Sequence, residues 1–405
     1  MDSPDQGAFG IPATGVSAAG DSLTIVFANI GGRYTGARNA TGDTLSGSWA
    51  QGGQTFPLVL TRGPEEQAQR PQEPQAPFPY LSEDVSFAAS EDRVVLAGTL
   101  TVPEGDGPHP AAVLVSGSGP QNRDEEVFGH RPFLVLADYL TRRGVAVLRY
   151  DERGVGESSG DFAAATSEDF ARDAEAALRY LLTRDEINPA ALGIIGHSEG
   201  GTVAQLLASR SANVAWIVML AGPGVPGDSL LVMQGAAINR AAGMPEAQRA
   251  KNTELQRRLL AVARSDRGRQ SAEAEVLRLL EEGFPEITAE QARAEVANVT
   301  SPWLRWFVRY DPAPVLRRIT LPVLALNGSK DLQVPAAANL AGIEAGLAAA
   351  GNEDVTITEL PDLNHLLQTA DTGLVSEYGQ IEETIAPVAL ETIGDWILAR
   401  VRPGH

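Results

Sequence analysis

Apolar residues recur along this chain in two rhythms, and the change between them falls near residue 80. Before it, short segments alternate in polarity: SLTIVFA (22–28), RYTGAR (33–38), TLSGSWA (44–50) and FPLVLTR (56–62). A period of two is what a half-buried β-strand requires. Gly31-Gly32, Asn39 to Gly42, and Gly52-Gly53 supply turns between the segments. Residues 1–62 therefore predict a small all-β domain, short for a closed barrel, with further strands expected ahead of residue 1. Residues 63–80, rich in Pro, Gln and Glu and nearly without aliphatic side chains, predict an extended linker.

From residue 81 to 405 the rhythm is different. A hairpin, DVSFAAS then VVLAGTLTVP, leads into continuous apolar runs: AAVLVSG (111–117), VAVLRYD (145–151), LGIIGHS (192–198), VAWIVMLAG (214–222), LPVLALNG (321–328) and VTITEL (355–360). Unbroken apolar strands belong to a sheet buried on both faces, and intervening helices make parallel crossovers. TSEDFARDAEAALRYLLTR (166–184) is one such helix, with a Thr/Ser cap signal, early acids and an apolar stripe. The prediction is a doubly wound, mostly parallel α/β sheet. The stretch of about 223–318 is far longer than an ordinary connection. Its helical segments, AQRAKNTELQRRLLAVARS and SAEAEVLRLLEEGF among them, predict an α-helical cap over the strand ends.

Composition narrows the chemistry. At 405 residues two domains are the natural expectation. Lys and Arg number 32 against 52 acids, a net charge of −20, and that field repels nucleic acid and anionic membranes. No apolar run approaches the roughly 20 residues of a membrane span. The N-terminal MDSPDQGAFG has neither a basic nor an apolar signal region. With no cysteine, disulfides, thiolate metal sites and a Cys nucleophile are excluded. No cluster of His, Asp and Glu has metal-ligand spacing, so no metal is expected.

Gly196-His197-Ser198-Glu199-Gly200 is a G-x-S-x-G sequence set between the apolar strand ALGII and the helix GTVAQLLASR. That context is what a nucleophile elbow needs: a sharp strand-to-helix turn lifts the Ser198 hydroxyl above the sheet. Five histidines exist, and three have blander readings. His197 adjoins the serine and points away from it, His109 lies between prolines before a strand, and His405 is terminal. His130, in the loop after the first parallel strand, is the rival. His365, just after the last strand, stands where such a fold keeps its general base. The acid falls between Ser and His in chain order. Asp331, in NGSKDLQVP beyond a strand, is favoured over Asp311, a turn residue, and Asp362, three residues from His365.

An acyl-transfer intermediate also needs two oxyanion donors. The backbone N–H of Glu199 is one, and that of Ser118 in SGSGP is the other, with Gly119 as fallback. SGSGP lacks the lysine of a phosphate loop, and no nucleotide is expected. In DERGVGES (151–158) the plain reading is a tight loop whose Arg153 anchors neighbouring carboxylates. Trp303, Trp306, Phe307 and Tyr310 recur at helical spacing, which is usually core, though in a cap they could line a substrate pocket.

With these residues placed, the sequence resembles bacterial carboxylesterases of the α/β-hydrolase superfamily. The likeness rests on SGSGPQNRDE, RYDERGVGESSG, GHSEG, SPWLRWFVRYDPAPVL, PVLALNGSKDLQVP and LNHLLQ, across most of residues 84–400. It implies hydrolysis of small, short-acyl carboxylic esters without a cofactor, through Ser198, Asp331 and His365. The N-terminal segment resembles the latter part of a small β domain in some exported relatives, which carry more sequence before it. A truncated or processed chain and an exported location are expectations on that analogy, with the cytoplasm left open. An acyl-CoA thioesterase or a serine peptidase on the same fold is the alternative, and a non-catalytic binding module a weaker one. Exposed strand edges leave a homodimer open.

Overall fold

In the computed structural model the described residues are 13–28, 32–51, 54–63, 69–89, 94–285 and 287–401, and they fall into two compact units. One comprises the residues up to Gln69 with Val375–Gln380, the other Arg70–Leu374 and those from Ile381 onward. Gly31, Gly52, Gly53 and His405 lie outside the described residues.

The first unit holds an antiparallel meander, β1 (Gly15–Ala19), β2 (Ser22–Phe27), β3 (Gly32–Arg38), β4 (Thr44–Gln51) and β5 (Gln54–Thr61), paired in chain order. Four of these are the alternating segments read from the sequence. The fifth, β1, is GVSAA, whose small side chains give little apolar signal. Phe27 and Trp49 meet across the sheet with ring centres 5.5 Å apart, and the Tyr34 hydroxyl donates to the Leu45 carbonyl.

The second unit is built on eight strands, β6 (Tyr80–Ala89), β7 (Val94–Pro103), β8 (His109–Val115), β9 (Ala146–Tyr150), β10 (Ile187–His197), β11 (Trp216–Leu220), β12 (Val323–Gly328) and β13 (Val355–Leu360). Their order is β13-β12-β11-β10-β8-β9-β7-β6. The strands from β8 to β13 run parallel, and the β6–β7 hairpin joins antiparallel at β9. The crossovers carry α1 (Pro132–Arg142), α2 (Ser167–Leu181) and α3 (Glu199–Ala208). The long insertion after β11 holds α4 (Gly227–Ala241), α5 (Glu246–Arg264), α6 (Arg269–Gly283), α7 (Ala289–Val299) and α8 (Pro302–Phe307). Then come α9 (Ala313–Leu316), α10 (Ala336–Ala349) and α12 (Pro387–Val401), whereas α11 (Val375–Tyr378) is grouped with the first unit.

The unbroken apolar strands serve two cores at once, because successive side chains point to opposite faces. Ala111, Val113 and Val115 pack with α2, α3 and α10, whereas Ala112 and Leu114 pack with α1 and α12. Ile194 and Ile195 divide in the same way, as do Ile217 and Val218. The fold is thus a doubly wound α/β sheet with a helical cap. The cap has a core of its own, in which Leu255, Leu259, Val276, Leu280 and Val299 are buried. The Pro/Gln-rich stretch is held to this unit from Arg70 onward. Arg70 donates to the carbonyls of Gly129 and Ile381, and the Gln72 amide pairs with the backbone of Thr384 and Ile385. Among the described residues, no helix is long and apolar enough to cross a membrane.

Candidate active site

The site is assembled where β10 ends and α3 begins. Ser198, between them, has φ 52° and ψ −117°, a conformation that costs a non-glycine residue energy and persists only where its surroundings enforce it. Two glycines permit the turn. A Cβ on Gly196 would stand 2.0 Å from the Gly200 carbonyl oxygen, and one on Gly200 would stand 2.0 Å from that of Val115. The Ser198 N–H is held by the Leu220 carbonyl of the next strand at 2.8 Å. Glu199 is the first residue of α3, so its N–H is one that the helix leaves without an acceptor.

His365 and Asp331 meet from separate loops. The His365 Nδ1 lies 2.8 Å from Asp331 Oδ2, and both side chains are buried. The other carboxylate oxygen of Asp331 accepts from the N–H groups of Gln333 and Val334, each at 2.8 Å, which fixes the acid before the histidine is considered. The rival acids are placed elsewhere. Asp311 accepts from the Ala313 N–H in an exposed turn, and Asp362 is an exposed ion partner of Lys330. His130 is fully buried, between Thr384 and Gln368.

A second histidine–carboxylate pair lies beside the first. Both ring nitrogens of His197 are engaged: its Nδ1 pairs with Glu125 at 2.8 Å, and its Nε2 meets the backbone carbonyl of His365 at 3.0 Å. The same Glu125 oxygen accepts the Gly117 N–H at 2.7 Å. One chain of bonds therefore runs from the SGSGP loop through Glu125 and His197 to the His365 backbone. Burial alone would push His197 down, yet the adjacent Glu125 carboxylate, with the His365 carbonyl, raises it above the ordinary imidazole range. Sequence reading assigned Glu125 no role, since a carboxylate in a polar loop reads as solvent-facing.

The SGSGP loop presses on the elbow, for a Cβ on Gly117 would come 3.1 Å from that of Ser198. Ser118 is exposed and Gly119 has φ 104°. The loop is tied to the end of β9, where Asp151 accepts from the Arg123 backbone and guanidinium and Glu152 accepts the Gln121 N–H. Arg153 forks onto Asp173 of α2 with bonds of 2.7 and 2.8 Å. Strained backbone concentrates in these loops: among the described residues, the non-glycine positive-φ positions are Glu125, Phe128, Ser198, Ala221, Asp362 and Leu367.

The aromatic stripe divides into two stacked pairs. Trp306 stacks on Tyr310, whose buried hydroxyl donates to Gln205 of α3. Trp303 stacks on Phe307 and sends its indole N–H to the Glu199 side chain at 2.8 Å. Burial pushes the Glu199 carboxyl up to about 7, against the lowering influence of its bonds from Ser167 and Trp303. Among the described residues no cluster of His, Asp and Glu could hold a metal ion.

A family model described as serine aminopeptidase, S33, matches residues 131–371. Esterase EstD of Thermotoga maritima is 28% identical over 273 residues, which are 67% of this chain and 58% of that protein. This chain thus spans just over half of the curated relative it matches. Among solved structures, the Pyrococcus furiosus esterase Pf2001 aligns with a TM-score of 0.49 at 17% identity, over 84% of this chain and 99% of that one. A 2,6-dihydroxy-pseudo-oxynicotine hydrolase aligns at 0.46 and 17% identity, over 79% of this chain and 68% of that one.

Two stability predictions follow from the buried acids. Glu125→Ala leaves the Gly117 N–H and the His197 ring without their acceptor and lowers unfolding free energy by about 3–5 kcal/mol. Because His197 is raised in the folded state, the pair stabilises fully below the ordinary histidine range, and its effect fades as pH rises past the raised value. Urea unfolding at pH 6 and pH 9 checks this, and equal losses at both would contradict it. Glu199 runs in the same direction, since its folded-state value is raised too. The folded chain keeps a proton that the unfolded chain releases near 4.5, so stability falls as pH rises from there to about 7. Glu199→Gln therefore gains up to about 3 kcal/mol at pH 8 and nothing near pH 4.5. Thermal melts across that range test it, and a pH-independent gain would contradict it.

Proposed function

The chain belongs to the serine aminopeptidase S33 family of hydrolases, and from that premise we propose that it is a serine carboxylesterase acting on small carboxylic esters. The observation that carries the reading is the Asp331–His365 pair, buried and 2.8 Å apart, with the His365 carbonyl bonded to His197, the residue before a strained serine at a strand-to-helix turn. The esterase relative and the resemblance of the motifs support the ester as substrate class.

In this mechanism Ser198 is the nucleophile. A neutral hydroxyl attacks poorly, so His365 takes its proton as Oγ bonds to the ester carbonyl carbon. Asp331, already fixed by two backbone N–H groups, keeps the Nδ1 proton in place and stabilises the imidazolium. The negative charge on the former carbonyl oxygen falls to the Glu199 N–H and to that of Ser118, with Gly119 as the alternative donor. The Gly117 N–H is already committed to Glu125, which leaves the next residues of the loop for this task. Collapse of the intermediate breaks the bond to the leaving alcohol, and His365 returns the proton to it. Water, deprotonated by the same histidine, then releases the acid and restores Ser198.

The family's description supplies a second reading, cleavage of an aminoacyl amide by the same residues. Purified protein assayed on p-nitrophenyl acetate, butyrate and octanoate beside an aminoacyl p-nitroanilide separates the two. Ester turnover is expected, greatest at the short chains, with Ser198→Ala and His365→Ala each lowering kcat by at least about 10³-fold. Anilide cleavage without ester turnover would establish the peptidase reading instead. Ester turnover unchanged in Ser198→Ala would remove the elbow serine from the mechanism.

A further inference from the structure

One buried carboxylate next to the nucleophile has no side-chain task in this mechanism. The Glu199 side chain is 4% exposed, and one of its oxygens accepts from both the Ser167 hydroxyl and the Trp303 indole N–H. The other oxygen is sealed from solvent without a partner. Three elements meet at this group: the elbow helix α3, the start of α2 in the core, and α8 in the cap. Placing an ionisable group there is costly, and a plain core residue would fill the space more cheaply. Beyond Trp303 the contact continues, because its ring stacks on Phe307 with centres 5.2 Å apart. Phe307 is buried with Leu230 of α4 and with Val334, whose N–H holds Asp331. The stacked pair thus spans from the residue after the nucleophile to the loop that carries the acid.

We propose that Glu199 is a positioning residue for substrate selection: by holding the Trp303 indole N–H it fixes the Trp303–Phe307 pair as a wall beside Ser198, and that wall limits the length of the acyl group. The inference rests on the esterase reading. A latch of this kind acts on the difference between substrates, since a short acyl group ends before the wall and a long one meets it. Losing a hydrogen bond to a carboxylate loosens the wall by an amount that corresponds to about tenfold or more in relative rate.

The test compares kcat/KM for p-nitrophenyl octanoate and acetate in the whole chain, in Trp303→Phe, which keeps the ring stack but loses the donor, in Glu199→Ala, and in the double variant. The octanoate-to-acetate ratio is expected to rise about tenfold in each single variant and no further in the double one. Glu199→Gln keeps an acceptor oxygen and is expected to hold the ratio within about twofold of the unaltered protein. A purely structural role would lower both substrates together and leave the ratio alone, which overturns the proposal, as would independent effects that multiply in the double variant. If Glu199→Ala fails to fold, Trp303→Phe against Glu199→Gln still decides the outcome. Should the unaltered protein cleave no ester, the esterase reading itself fails. Ser198-dependent turnover with an unmoved ratio rejects the latch alone.

Discussion

The contact of Gly200 with the Val115 carbonyl is the constraint on which the site depends. A helix starting this close to a neighbouring strand forces the intervening turn to be tight, and the residue at its apex into positive φ. Ser198 pays that strain, and the Leu220 carbonyl on its N–H helps to over-determine it. The same tightness directs the Glu199 N–H outward at the helix start, where the dipole favours negative charge. A hydroxyl and an anion donor are thus produced by one backbone feature, and both are lost if the glycines acquire side chains.

Around this turn the loops are also braced through polar bonds. Glu125 joins the SGSGP loop to His197, His197 joins the elbow to the His365 backbone, and Asp151 gathers the loop's Arg123. Apolar side chains anchor these loops too, with Leu363, Leu366 and Leu367 buried around His365 and Val334 buried near Asp331. Charged groups with several donors each can do so, provided that every partner is present. The cost is that each brace is fragile to the loss of one member, which an apolar contact is not.

How much of this was legible in the sequence follows from the same distinction. The six apolar runs became β8 to β13, because a strand buried on both faces has nowhere to place a polar residue. The 166–184 segment became α2 with Thr166 hydrogen-bonded to Asp169, a local pattern that needs no tertiary knowledge. Ser198, Asp331 and His365 could be singled out because each lies just beyond one of those strands. Glu125 and the Glu199 side chain could not, because their partners are 72 and 104 residues away in the chain. Burial of a carboxylate is a property of the assembled loops, and nothing in its immediate neighbours announces it.

The acids buried near the elbow bear on the chemistry through their protonation. Glu152 and Glu199 are both pushed upward by burial, and Glu199 raises Glu152 further by its charge. In the proposed mechanism a full negative charge fixed on the residue after Ser198 would oppose the developing oxyanion, strongly so where water is excluded. Raising such a carboxyl toward neutrality reduces that charge below about pH 7. Burial therefore does two things at once. It lets Glu199 serve as an acceptor for Ser167 and Trp303, and it limits how much of its charge the transition state must meet. A glutamine would remove the charge at every pH. The glutamate can accept both bonds while varying its charge with its surroundings, which suits a position one peptide removed from the proposed nucleophile.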